Sequence, residues 1–184
     1  MSKTSGKSEE QRWQFKTYNS IASLLLEQQP IGRKINKIVL HYSAVPHPPL
    51  GKVLEHVAAI DKFHREKNGW VGIGYHIAIH PSGVIVSCRP LRVVGSHSRG
   101  HNTGSVGVVM LCDSDYLKSD PPLLVSTVIH VLNGLCSELG IDKGAVFLHR
   151  QLNQTICPPI TERFLGQLHK AGFTNVRLEN TGNK

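Results

Sequence analysis

Apolar positions along this chain follow two periods. Short β-branched runs bounded by Gly, Pro, Asn or Ser occur at 34–43 ("KINKIVLHYS"), 106–111 and 145–149 ("AVFLH"). Each is too short for a helix and reads as a strand. The segment 73–90 ("IGYHIAIHPSGVIVSCRP") predicts a hairpin turning at Pro81-Ser82-Gly83. Helical spacing governs the rest. From about Glu10 to Gln29, Ile21, Leu24, Leu25 and Gln28 share one face, closed by Pro30 and Gly32. In 49–69, Val53, Val57, Ile60 and His64 form a stripe with Leu54, Ala58 and Asp61 at its shoulder, and Asn68-Gly69 ends it. The stretch 121–140 opens with proline and stops at Gly140, and 161–173 has Thr161 as N-cap and Gly172 at its end.

Strand, helix, hairpin, strand, helix, strand, helix predicts an α/β domain with a single mixed central β-sheet flanked by helices on its faces. Residues 1–30 read as an N-terminal tail and helix, with 1–8 an unstructured polar tail. Residues 31–184 read as the main domain.

Composition narrows the setting. An apolar content of 40% in 184 residues supports one real core. The chain is basic, with 21 Lys+Arg against 13 Asp+Glu, which favours a polyanionic partner or surface. Its cations are scattered rather than clustered, so no nucleic-acid partner is expected. The four cysteines, Cys88, Cys112, Cys136 and Cys157, form no CxxC pair, and the first three sit in apolar stretches as small hydrophobes. The polar start lacks the apolar core of a signal peptide, and no run approaches about 18 apolar residues, so no membrane span is expected. Synthesis in the cytoplasm without a signal peptide is the expectation, with any outside site reached by another carrier.

Three features stand at the ends of predicted strands: His41, the pair His149 and Cys157, and Tyr75. Neutral imidazole and thiolate are preferred zinc ligands, and three of them leave a fourth position open for catalysis. Such a site lowers the pKa of water to roughly 7, which suits amide hydrolysis. Taken singly, each residue is ordinary. A histidine beside a strand is more often structural than a ligand, and a His-x7-Cys spacing arises by chance among 11 histidines.

Their order and contexts carry more. "LHYSA", "GIGYHIAIHPSG", "VGSHSRGHNTGSVGVVM" and "LHRQLNQTICPP" together resemble the zinc-dependent N-acetylmuramoyl-L-alanine amidases, which include phage lysozymes of amidase type and peptidoglycan recognition proteins. The likeness runs from about residue 36 to 159. It implies an amidase catalytic domain in 31–184, one zinc ion per chain held by His41, His149 and Cys157, and peptidoglycan as the partner. Tyr75 matches the tyrosine that steadies the attacking water or the tetrahedral intermediate. Thr155 falls where phage enzymes carry lysine and many active recognition proteins carry threonine, so a neutral donor replaces a cation there. Cys157 and Tyr75 separate the chain from the recycling amidases of the superfamily, which carry aspartate and glutamate at those places. His97 and Asn102 match a substrate-lining segment, with a glycine-shaped loop as the plainer alternative. Proton delivery to the leaving amine has two candidate routes, through Tyr75 or through His97. His76 is expected to face away from Tyr75 by strand alternation, and His64 to be structural.

The resemblance implies a wall-degrading enzyme, released through a holin as a phage endolysin or injected as an antibacterial effector that acts in the periplasm. An effector would pair with an immunity protein and secretion machinery. A non-catalytic peptidoglycan-binding module is the alternative.

Overall fold

The computed structural model describes residues 13–179, and the polar tail expected at 1–8 lies outside them. Its strands are β1 (Lys16–Tyr18), β2 (Lys37–Tyr42), β3 (Ile77–Ile79), β4 (Ile85–Ser87), β5 (Ser105–Met110) and β6 (Val146–Leu148). They form one sheet in the order β1-β4-β3-β5-β2-β6. The pairs β3/β5, β5/β2 and β2/β6 are parallel, whereas β4 runs antiparallel to β3 and β1. The mixed α/β sheet anticipated from the hydrophobic pattern is therefore present. All six residues of β5 are buried, as a central strand covered on both faces requires.

The helices are α1 (Ile21–Glu27), α2 (Val53–Asn68), α3 (Ser114–Lys118), α4 (Pro122–Leu139), α5 (His149–Leu152) and α6 (Glu162–Lys170). Helices α1, α4 and α6 pack on one face of the sheet, against Ile38, Leu40, Ile77, Val108 and their neighbours. Helix α2 covers the other face through Val53 and Val57, over Ala78, Val86 and Val109. By composition α4 is long and apolar enough to cross a membrane, with mean hydropathy 1.3 over 18 residues. Its stripe from Leu124 through Leu135 instead lies in the core, while Leu123 remains exposed on the outer side.

The stretch 10–29 departs from the single helix its spacing predicts. Ser20 accepts a hydrogen bond from the Ser23 N–H as N-cap and starts a two-turn helix there, and the chain before it pairs with β4. Ile21, Leu24 and Leu25 are all buried in the main core. Residues 16–27 are thus built into the domain rather than standing ahead of it. Contact with α4 is close: a Cβ on Gly134 would lie 2.2 Å from Ile21 Cγ2.

Alternation along β2 decides where the chemistry sits. Ile38 and Leu40 enter the core under α1, α4 and α6, so His41 turns to the α2 face. The parallel register pairs Leu40 with Leu148, which brings His41 and His149 out beside each other at the carboxyl ends of β2 and β6. Open α/β sheets form their clefts at such strand ends.

Candidate metal centre

His149 opens α5, a single turn that the polar loop 149–157 was not expected to contain. The Leu148 N–H donates to Gln151 Oε1, and buried Gln151 also donates to the Asn175 carbonyl, which fixes the turn. The chain then returns so that the Arg150 N–H donates to the Cys157 carbonyl at 2.8 Å. This closure brings Cys157 Sγ to 3.8 Å from His41 Nδ1, and the His41 and His149 ring centroids are 4.5 Å apart. One ligand atom from each of His41, His149 and Cys157 lies within 4.8 Å of the others. A tetrahedral zinc with Zn–N of about 2.0–2.1 Å and Zn–S of about 2.3 Å sets N···S near 3.6 Å, so the donors fit such an ion after a small contraction.

The electrostatics suit ligation. Burial, then the neighbouring His97 and His149, drives the His41 pKa well below its ordinary value, and burial lowers that of His149. Both rings are therefore neutral, the form that donates to a metal. Burial pushes the Cys157 thiol up to about 11, so its proton must leave when a metal enters.

A second layer surrounds the three donors. His97 Nδ1 is 3.0 Å from His41 Nε2, and its Nε2 is 3.1 Å from Ser105 Oγ. Burial drives the His97 pKa well down too, leaving a neutral ring. Asn102 Oδ1 accepts the backbone N–H groups of His97 and Ser98, both at 2.9 Å. On the other side His149 Nε2 is 3.1 Å from Asn153 Oδ1, which also accepts the Ser98 hydroxyl at 2.7 Å. Thr155 Oγ1 accepts the Cys157 N–H at 3.2 Å, leaving its own proton free to donate.

Tyr75 is partly buried, with its ring centroid 5.1 Å from that of His41 and 5.7 Å from that of His64. Burial, and next the Cys157 charge, raises the Tyr75 pKa strongly, so its hydroxyl stays a donor at neutral pH. Two hollows meet the cluster. One of about 760 Å³ is lined by Trp70, Arg99, Asn102, His149 and Thr155, and the other, of about 530 Å³, by Val45, Ile60, Phe63 and Tyr75.

The structure thus brings the donors of His41, His149 and Cys157 together, sets the Tyr75 ring against His41 and ties Thr155 to the Cys157 N–H. His97 also lines the first hollow but contacts His41 directly, and Asn102 spends its carboxamide oxygen holding the loop. His76 departs from expectation: its ring lies 5.8 Å from that of His97, on the same side as the cluster. The ladder continues through His76, whose N–H donates to the Gly107 carbonyl, so His76 shares the face of Ala78. Alternation breaks at Tyr75, which packs against that same face. Sequence reasoning passed over Ser98, Ser105 and Asn153. The available signal was Asn153 four residues after His149, the spacing that joins neighbours on one helical turn.

An α/β sheet with a His/His/Cys cluster at its strand ends, open to a cleft, defines a domain class with a candidate three-donor metal site. A family profile described as N-acetylmuramoyl-L-alanine amidase matches residues 31–159, and the chain belongs to that family. It is 31% identical over 104 residues to the endolysin of Enterobacteria phage K11, covering 55% of this chain and 68% of the endolysin. It is 28% identical over 153 residues to the Homo sapiens N-acetylmuramoyl-L-alanine amidase, covering 80% of this chain and 25% of that protein. The chain therefore spans about a quarter of the human relative's length. Among solved structures, the N-acetylmuramoyl-L-alanine amidase LysC from Clostridium intestinale URNW is similar with a TM-score of 0.64 and 27% identity, over 80% of this chain and 89% of LysC.

Proposed function

We propose that this chain is a zinc-dependent hydrolase of the amide between N-acetylmuramic acid and the L-alanine of the peptidoglycan stem peptide. The observation that carries the reading is the convergence of His41, His149 and Cys157 donors within 4.8 Å at the mouth of a cleft. Family membership supplies the bond, and the named endolysin and amidase relatives support peptidoglycan as the substrate class. When bound, zinc supplies Lewis acidity toward the scissile carbonyl and lowers the pKa of a water to roughly 7.

The chain's own residues do the rest. His41, His149 and Cys157 hold the ion. Tyr75 keeps its proton and offers an O–H to the oxyanion that develops as the carbonyl carbon becomes tetrahedral. Thr155 offers a second, neutral O–H from the loop that carries Cys157, since its oxygen accepts the Cys157 N–H. The hollows beside His149 and Tyr75 let a substrate run through the centre rather than end at it. The endolysin relatives favour a lytic role at the cell wall.

Mass spectrometry of purified sacculi digested with and without a chelator tests the reading. Free stem peptides bearing an L-alanine N-terminus, lost on chelation and restored by zinc, are expected. Sacculi that retain the protein yet stay intact would replace the enzyme with a binding module.

A further inference from the structure

The loop between β4 and β5 does more than edge the cleft. Its hydrogen bonds have a direction, and that direction can be followed inward to both histidine ligands. The starting point is Ser105, whose hydroxyl lies 2.8 Å from the Asn102 carbonyl and 3.1 Å from His97 Nε2. A carbonyl oxygen only accepts, so the closer contact takes the single hydroxyl proton. Ser105 Oγ then accepts from His97. The buried His97 ring faces only His41 and Ser105 through its nitrogens and has no carboxylate to hold a second proton, so its one proton sits on Nε2. His97 Nδ1 is left as an acceptor, 3.0 Å from His41 Nε2, which must donate. His41 therefore keeps a bare Nδ1, the atom facing Cys157 Sγ.

The second route ends the same way. Asn153 Nδ2 donates to the Arg99 carbonyl at 3.1 Å, which fixes the orientation of its amide. Its Oδ1 then faces Ser98 Oγ and His149 Nε2, and an amide oxygen accepts from both. His149 Nε2 carries the proton, and Nδ1 is free.

The ring of His97 is also held in place sterically. A Cβ on Gly107 would lie 2.5 Å from His97 Cδ2, and one on Gly95 would meet the same atom at 2.5 Å and His76 Cε1 at 2.8 Å. Any side chain at either glycine would push the ring off His41. Asn102 fixes the backbone of the same loop through the N–H groups of His97 and Ser98. Gly95, His97, Ser98, Asn102, Ser105 and Gly107 thus serve one purpose.

We infer that the segment 95–107 is a tautomer-setting element: through Ser105–His97 and Ser98–Asn153 it fixes the proton of both histidine ligands on Nε2 and presents both Nδ1 atoms to the metal. His97, Ser105 and Asn153 are positioning residues, acting through His41 and His149. The inference rests on the zinc reading above for its purpose, but the proton positions are properties of the metal-free chain.

The test uses the metal-free protein first. Nitrogen-15 NMR of the imidazoles reads the tautomers directly, and both His41 and His149 are expected to carry the proton on Nε2. Zinc affinity is then measured by competition with a chromophoric chelator. His97→Phe removes the acceptor and should weaken zinc binding about 10–100-fold, the usual cost of losing an outer partner of a metal ligand. His97→Asn places an amide oxygen where Nδ1 stood and should restore most of that affinity. Asn153→Leu and Asn153→Asp form the matching pair for His149. Should His97→Phe fail to fold, Ser105→Ala replaces it, with mixed His41 tautomers and weaker zinc binding expected. A His41 proton on Nδ1 in the metal-free wild type, or wild-type affinity in folded His97→Phe or in Ser105→Ala, would overturn the inference. A wild-type chain with the expected tautomers that takes up no zinc would overturn the metal reading instead.

Discussion

Cys157 Sγ lies 3.8 Å from His41 Nδ1, although 116 positions of sequence separate the two residues. The contact depends on the return of the chain after α5, held by the Arg150 N–H on the Cys157 carbonyl. Nothing in the hydrophobic core depends on the thiol, which lies outside both apolar clusters. Cys157→Ala is therefore expected to keep the fold while losing both bound zinc and hydrolysis. Metal analysis by plasma mass spectrometry, beside a circular dichroism melt, checks this. A Cys157→Ala chain that retains stoichiometric zinc would remove the thiol from the ligand set.

Substitution of Tyr75 is expected to separate metal binding from catalysis. Its ring stacks obliquely against His41 with centroids 5.1 Å apart, and burial keeps its hydroxyl protonated. Tyr75→Phe preserves the stacking and deletes only the donor. Turnover should fall about 100- to 1,000-fold, the usual cost of one oxyanion donor, with zinc content unchanged. Rates on a soluble muropeptide, paired with metal analysis, test both halves. Loss of zinc in Tyr75→Phe would make the tyrosine a structural support of the ligands.

Much of this centre was legible before folding, and the limits have physical causes. The strand around Val39 and the helix from Val53 to Asn68 announce themselves by period, because each buries one repeating face. The grouping of His41, Tyr75, His149 and Cys157 was an expectation from their motif contexts, and the three donors do converge. The roles of Ser98, Ser105 and Asn153 were not legible, since short polar side chains in a loop show no period, and their partners are fixed only by tertiary closure. The strand Lys16–Tyr18 was hidden for a related reason. Its pairing with β4 overrode local spacing that continued the helical pattern upstream of Ser20.

Integration of the N-terminal segment has a measurable consequence. Gly134 sits in α4 where Ile21 of α1 approaches, and an added Cβ would come within 2.2 Å of Ile21 Cγ2. The obstacle is a branched side chain with 2% exposure, so it cannot swing into solvent. Gly134→Ala gains helix propensity worth roughly 1 kcal/mol at most, yet overpacking of a core contact costs about 1–3 kcal/mol. Net destabilisation is expected, and Gly134→Ala combined with Ile21→Leu, which has no Cγ2, should recover part of it. Urea denaturation of the two variants decides the matter. A stabilised Gly134→Ala would mean that α1 yields easily and contributes little to the core.

His64 is expected to give stability a pH dependence apart from the candidate metal centre. It is buried, with Nδ1 accepting the Gly74 N–H at 3.1 Å and its ring 4.8 Å from Trp70. Burial lowers its pKa to about 4, against the opposing charge of Asp61. In the unfolded chain the group titrates near 6.5. Between these values the unfolded state binds the extra proton, so the contribution is complete above about pH 6.5 and is lost as pH falls toward 4. The full shift corresponds to about 3 kcal/mol at most. His64→Asn keeps an oxygen acceptor for Gly74 without a titrating ring. Its unfolding free energy, measured in urea from pH 7.5 to 4.5, should fall less steeply than that of the wild type. Part of the wild-type slope will remain in the variant, because His41, His76 and His97 are also held well below their ordinary values by burial. Parallel profiles for the two proteins would mean that His64 takes up a proton without leaving its place against Trp70.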